Sequence, residues 1–149
     1  MMSSSSLNRR DLLLAGGIAF LASHATSAAV PADGTPARGQ RRQMHGGKGL
    51  LDVTFFFEPE RPGRPALFLE YRIPPGASEG VHVHGPDRPE GAWDEYYYVA
   101  EGSGRMRIGD EDVEVAAGQT LHTPLGVPHG IENTSRSPLR IFLVAIERA

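Results

Sequence analysis

The 149-residue chain contains no cysteine. That absence excludes disulfides, thiolate catalysis, zinc–sulfur sites and iron–sulfur clusters. Lysine is nearly absent, with 1 Lys against 14 Arg, and the formal charge is only −3. The basic excess of a nucleic-acid binder is therefore missing, and no nucleic-acid partner is expected. No apolar run approaches the ~20 residues that a membrane-spanning helix needs. Beyond the first thirty residues, no 12-residue window shows a 3.6-residue period, so a helical bundle is excluded as well. Glycine and proline are abundant instead, at 18 and 12 residues, which suits short strands joined by tight turns.

Near the start, Arg9-Arg10 directly precede the uncharged run Leu12–Ala22, and small residues follow at Ala25–Ala29. The run spans 11 residues, too short for a bilayer, and reads as a signal peptide cleaved after Ala28 or Ala29. The arginine pair resembles the bacterial twin-arginine type, which implies the twin-arginine export machinery as a partner and a periplasmic or extracellular destination. Three segments are expected: a signal peptide at 1–29, a flexible or draped arm at 30–49, and one domain at 50–149. The mature form is expected to have no membrane partner.

From Leu50 onward the texture is that of strands. Leu50–Phe57, Ala66–Ile73, Gly80–His84, Glu95–Ala100, Arg105–Ile108, Val113–Val115, Thr120–Thr123, His129–Asn133 and Leu139–Ile146 are β-rich. Turn residues separate them, among them Pro74-Pro75-Gly76, Gly102-Ser103-Gly104 and Gly109-Asp110. The spacing predicts an all-β antiparallel sandwich or barrel.

Four histidines fall in this region. His82 and His84 are two apart, so on a strand both rings point to one face. Glu95 opens a later strand, and His129 follows the stiff turn Pro124–Pro128. Three imidazoles and one carboxylate suit one divalent transition metal, Mn or Fe first, with Ni, Zn or Cu also accommodated. Two positions of an octahedron stay open for a substrate or dioxygen.

The spacing carries more information than the residue types. Gly76-x5-His82-x-His84 followed by Glu95-x6-Gly102 resembles the first motif of the cupin family. Gly118-x5-Pro124-x-Gly126-x2-His129-x3-Asn133 matches that family's second motif. The resemblance implies a double-stranded β-helix (jelly-roll) barrel, a metal held by His82, His84, Glu95 and His129, and a homodimer formed through sheet edges. One departure stands out: ten residues, 85–94, separate His84 from Glu95, where the family has three or four. Glu90 and Asp94 are rival ligands within that insert, which is expected to hang over the barrel mouth.

Three further residues are candidates for the chemistry. Tyr97 shares strand parity with Glu95 and faces inward, as a proton donor to the site or as core. His122 precedes the second turn, and Arg88 in the insert can pair with a substrate carboxylate. Three readings follow: a metal-dependent oxidoreductase (dioxygenase or oxidase) acting on a small oxygenated or acidic substrate; a lyase or isomerase in which Tyr97 or His122 moves the proton; and a small-molecule binder without turnover.

Overall fold

The computed structural model describes residues 37–57 and 66–148, and among these every regular element is a strand. In chain order they are β1 (Arg38–Arg42), β2 (Leu51–Phe57), β3 (Ala66–Ile73), β4 (Trp93–Glu101), β5 (Ser103–Ile108), β6 (Glu111–Ala116), β7 (Thr120–Thr123), β8 (His129–Glu132) and β9 (Leu139–Glu147). Six form one antiparallel sheet in the order β1-β2-β3-β9-β4-β7, and three form a second, β6-β5-β8. This is the all-β jelly-roll barrel that the motif spacing implied.

Alternation builds the core. On β3, Leu69, Tyr71 and Ile73 face inward, in register with Leu143, Ile141 and Leu139 of β9. The next strand continues the layer, with Tyr97 opposite Leu143 and Val99 opposite Ile141. Met106, Val115 and Ile131 close it from the smaller sheet. Apolar burial of this kind supplies most of the driving force, at roughly 25 cal/mol per Å2.

Two segments differ from expectation. Over its described part, the arm at 30–49 is a strand and a turn. β1 pairs with β2 from Arg38↔Phe55 to Arg42↔Leu51, and all five of its residues are exposed. Main-chain hydrogen bonds hold it, without a buried face, so no apolar alternation announces it in the sequence. The rest of the arm and the signal-peptide segment lie outside the described residues.

The second difference is Gly80–His84, which forms no continuous strand. It meets the smaller sheet at the isolated bridge His82↔His129, and the residues just before it do so through the bridge Ser78↔Glu132 and the Glu79 N–H to Ile131 O at 2.9 Å. Its other side is pressed against the turn at 44–47. Met44 O accepts from the Gly47 N–H at 2.8 Å and from the Gly80 N–H at 3.0 Å. A Cβ on Gly80 would come within 2.9 Å of the His45 carbonyl carbon. Close backbone approach replaces a ladder here, and only glycine allows it.

The glycine at position 126 serves the turn that aims His129. It has φ 82° as third residue of Pro124–Val127, closed by Val127 N–H to Pro124 O at 3.1 Å, which is type II geometry. Its own N–H donates to His84 O at 3.0 Å, so the turn that presents one histidine is clipped to the segment that carries two more.

Asn133, fully buried, fastens the end of β8. Its amide donates to Ile73 O at 2.7 Å and Ser137 O at 2.8 Å, and its oxygen accepts from the Ser135 N–H at 2.9 Å. Asn133→Ala removes these bonds, the one to Ile73 O in the buried interior, and should cost about 1–3 kcal/mol, read as a lowered urea midpoint with unchanged slope.

Candidate metal centre

Four buried side chains from separate parts of the chain converge inside the barrel: His82, His84, Glu95 and His129, with one donor atom from each lying within 4.8 Å of the others. His84 Nε2 is 3.1 Å from His82 Nε2 and 3.2 Å from Glu95 Oε1. His129 Nε2 is 2.7 Å from Glu95 Oε2. His82 and His84 share a face, as their two-residue spacing predicted, although the segment is not a strand.

Backbone carbonyls set which nitrogens face the centre. His82 Nδ1 donates to Gly80 O at 3.0 Å, and His129 Nδ1 donates to Val127 O at 2.8 Å. A carbonyl can only accept, so each Nδ1 carries a proton and each Nε2 is turned to the cluster. Donor separations near 3 Å are those of two ligands at a right angle on one ion with bonds of about 2.1 Å. The donor set therefore fits a single divalent transition metal.

Charge is arranged accordingly. Burial works against the Glu95 carboxylate, but hydrogen bonds from His129 and His84 outweigh it and hold the group well below the usual carboxylate range. Burial likewise opposes a charge on His129, and the Glu95 hydrogen bond and charge reverse this, raising its pKa. His82 goes the other way: burial and the neighbouring His45 and His129 push it down to about 3. In the metal-free protein, a proton between His129 and Glu95 thus supplies the positive charge that a cation would bring.

The remaining candidates separate cleanly. Tyr97 is buried, and its hydroxyl donates to Glu95 Oε2 at 2.5 Å. Burial and the Glu95 charge raise its pKa well above 10, so it positions the carboxylate and keeps its proton. His122, by contrast, does not join the pocket. It lies on the outer face of the large sheet, stacked on Tyr96 at 4.5 Å, because β7 turns Leu121 and Thr123 inward and alternation turns His122 outward. Arg88 is exposed within the insert, where its N–H donates to Gly85 O at 3.1 Å.

Neither rival ligand reaches the cluster. Asp94 sits on the outer face of β4, accepting from Leu125 N–H at 2.8 Å and from the Arg148 guanidinium at 2.7 Å. Glu90 accepts the Trp93 indole N–H at its main-chain oxygen, at 2.7 Å. The insert closes on itself through Gly85 N–H to Gly91 O at 2.8 Å, so its added residues form a compact loop before β4 and leave the strand phase of Glu95 intact.

Sequence reasoning missed two groups beside the centre. His45 falls within the expected arm, yet its ring stacks on that of His82, 3.6 Å between centroids and 7° from parallel. Glu79 is buried; Oε1 accepts the Tyr71 hydroxyl at 3.0 Å and lies 3.8 Å from His45 Nε2, while Oε2 has no hydrogen-bond partner. Burial, then the charge of Glu95, push Glu79 up to about 8, and burial lowers His45. Both are neutral at pH 7, so their contact is not an ion pair. His45 lies in the segment expected to be a flexible or draped arm, and nothing local in its sequence indicates where that segment docks.

Comparison with known proteins agrees with this geometry. The Cupin domain family model matches residues 69–145. A Thermotoga maritima protein named "Oxalate-binding protein" is 36% identical over 104 residues, covering 69% of this chain and 81% of that one. A crystal structure of a predicted oxalate decarboxylase from Thermotoga maritima superposes with TM-score 0.67 at 30% identity, over 76% of this chain and 100% of that one. A Thermus thermophilus structure gives TM-score 0.53 at 28% identity, over 75% of this chain and 86% of that one.

Two pH effects follow. Metal must expel the proton held by His129 and Glu95, so affinity should weaken steadily as pH falls through neutrality; chelator competition between pH 8 and pH 5 measures this, and a flat profile would contradict it. Glu79 has the opposite sign. Its carboxyl ionises near 4.5 when unfolded and near 8 when folded, so the folded state retains a proton that the unfolded state has lost. Stability of the metal-free protein is therefore lost as pH rises across that window. Glu79→Gln, which cannot ionise, should gain on wild type by a few kcal/mol, on the order of the linkage energy, between pH 5 and pH 8. Urea unfolding at both pH values reads the difference.

Proposed function

Because the chain belongs to the cupin domain family, a scaffold whose chemistry resides in its site, we propose that it is an exported, metal-dependent oxidoreductase acting on a small carboxylate of the oxalate class. The observation that carries this reading is the buried set His82, His84, Glu95 and His129. Three neutral nitrogens and one carboxylate leave a divalent ion with a net positive charge, which attracts an anionic substrate and suits ions that change oxidation state, Mn or Fe. Once bound, the metal would supply open positions for that substrate and for dioxygen. The Thermotoga protein named for oxalate binding supports the choice of substrate class.

The chain's own residues do the rest. Tyr97 fixes the Glu95 carboxylate through its 2.5 Å hydrogen bond. Val99, Met106, Ile131 and Leu143 wall the interior and keep bulk water from reactive species. The lyase or isomerase reading loses support, because His122 faces outward and the Tyr97 proton is committed to Glu95. Binding without turnover is the second reading, favoured by the name of that same Thermotoga relative.

Export by the twin-arginine route belongs to the same proposal, supported by Arg9-Arg10 before the apolar run. That route carries folded protein, so the cytoplasm would choose the metal before competition from copper and zinc begins. A homodimer is proposed on the resemblance alone.

Elemental analysis of protein recovered after native export, with electron paramagnetic resonance and oxygen uptake in the presence of oxalate, tests the reading. About one Mn or Fe per chain, a spectrum perturbed by oxalate, and oxygen consumption are expected. Zinc alone would overturn the redox assignment, and oxalate bound aerobically without product would leave the binding reading.

A further inference from the structure

We propose that His45 is a positioning residue for the metal centre: its ring lies flat on that of His82 and holds the His82 Nε2 aimed at the other three ligands. The inference rests on the metal reading above and goes beyond it, since His45 belongs to neither family motif.

His82 is the one ligand imidazole that does not meet the Glu95 carboxylate within ion-pair distance. Glu95 reaches both His84 and His129, at 3.2 and 2.7 Å, and so steadies two of the three imidazoles. His82 is anchored at Nδ1 by the hydrogen bond to Gly80 O at 3.0 Å, and its Nε2 meets only a fellow ligand, His84 Nε2 at 3.1 Å, so with both Nε2 atoms turned to an ion the ring can still swing about the Nδ1 bond. A parallel ring 3.6 Å away covers the face and removes that freedom.

The backbone under His45 points the same way. His45 has φ 46° and Gly46 has φ 68°, and the Gly47 N–H donates to Met44 O at 2.8 Å. These are the marks of a type I′ turn, whose first central position asks for Asn, Asp or Gly. A left-handed backbone is costly for a residue with a Cβ, and it persists only where the surroundings dictate it. Among ring-bearing side chains, histidine is the one that tolerates this region best. A turn that needed only to turn would carry Asn; this one carries a ring.

The turn is also locked to the ligand segment. A Cβ on Gly47 would come within 2.7 Å of the Glu79 carbonyl carbon, and one on Gly80 within 2.8 Å of the Gly47 N. Below the ring, His45 Nε2 is 3.8 Å from Glu79 Oε1, which Tyr71 on β3 holds in place. His45 therefore joins the β3 core to the metal ligand.

A different reading of the same residues is a second cation site, because donors of His45, Glu79 and His82 lie within 4.8 Å of one another. The stacking argues against it. Imidazole lone pairs lie in the ring plane, so two rings 7° from parallel present theirs side by side and do not converge on one ion. Nδ1 of His82 is already committed to Gly80 O, and its Nε2 belongs to the first cluster.

The test uses full-length protein stripped of metal and titrated with Co(II), whose visible spectrum reports ligand geometry, with affinity measured against a competing chelator. His45→Asn keeps a residue suited to the turn but removes the ring. The expected result is Co(II) affinity lowered about tenfold or more, the usual effect of losing a support behind a ligand, with an altered spectrum and no loss of metal-free thermal stability. His45→Phe restores a flat ring and should recover most of that affinity even where the strained turn lowers stability. Wild-type affinity and spectrum in His45→Asn would overturn the proposal. So would a folded His45→Phe that binds as weakly as His45→Asn, which would place the effect in the imidazole's contact with Glu79. A wild-type protein that binds no Co(II) would overturn the metal reading itself, a distinct failure.

Discussion

The contact between Glu95 and His129, 2.7 Å long and wholly buried, is the constraint around which this molecule is organised. Glu95 stands on β4 of the larger sheet and His129 on β8 of the smaller one, so their meeting spans the barrel. A carboxylate so deeply buried is tolerable only with positive charge beside it. The protein meets that need with a proton shared with His129, and a cation would meet it with four ligands at once. Tyr97 beneath Glu95 and the carbonyls of Gly80 and Val127 behind the imidazoles exist to keep that choice open at one point in space.

The backbone around the centre follows from this demand. Only one of its two histidine-bearing segments is an ordinary strand. The segment carrying His82 and His84 leaves the ladder to press its glycines against the turn at 44–47, and the strand β8 emerges from a type II turn whose Gly126 is hydrogen-bonded to His84. Irregular backbone is costly inside a barrel, where each N–H needs a partner. Here the irregular segments satisfy one another, and ligand geometry and backbone satisfaction are solved by the same contacts.

Much of this was legible in the chain. Alternation in Ala66–Ile73 and Leu139–Ile146 marked the core strands, and the spacing of Gly, Pro and His marked the four clustered residues, with Glu95 keeping its phase across the ten-residue insert. What could not be read shares a physical cause. β1 buries no side chain, so it has no apolar period. Gly80–His84 has strand composition but is held by close approach of main chains, which composition does not encode. His122 was undecided because β7 has only four residues, too few to establish parity in advance. His45 and Glu79 became part of the site through docking of a turn from a distant part of the chain, and a long-range contact leaves no local signature.

The exposed strand β1 carries one consequence for assembly. It forms the border of the larger sheet among the described residues, and three of its five side chains are Arg38, Arg41 and Arg42. A like border laid alongside it would bring guanidinium groups face to face in water, an electrostatic penalty of the kind that keeps naked strand margins from zipping into fibrils. Direct pairing of one such margin with another is thereby discouraged.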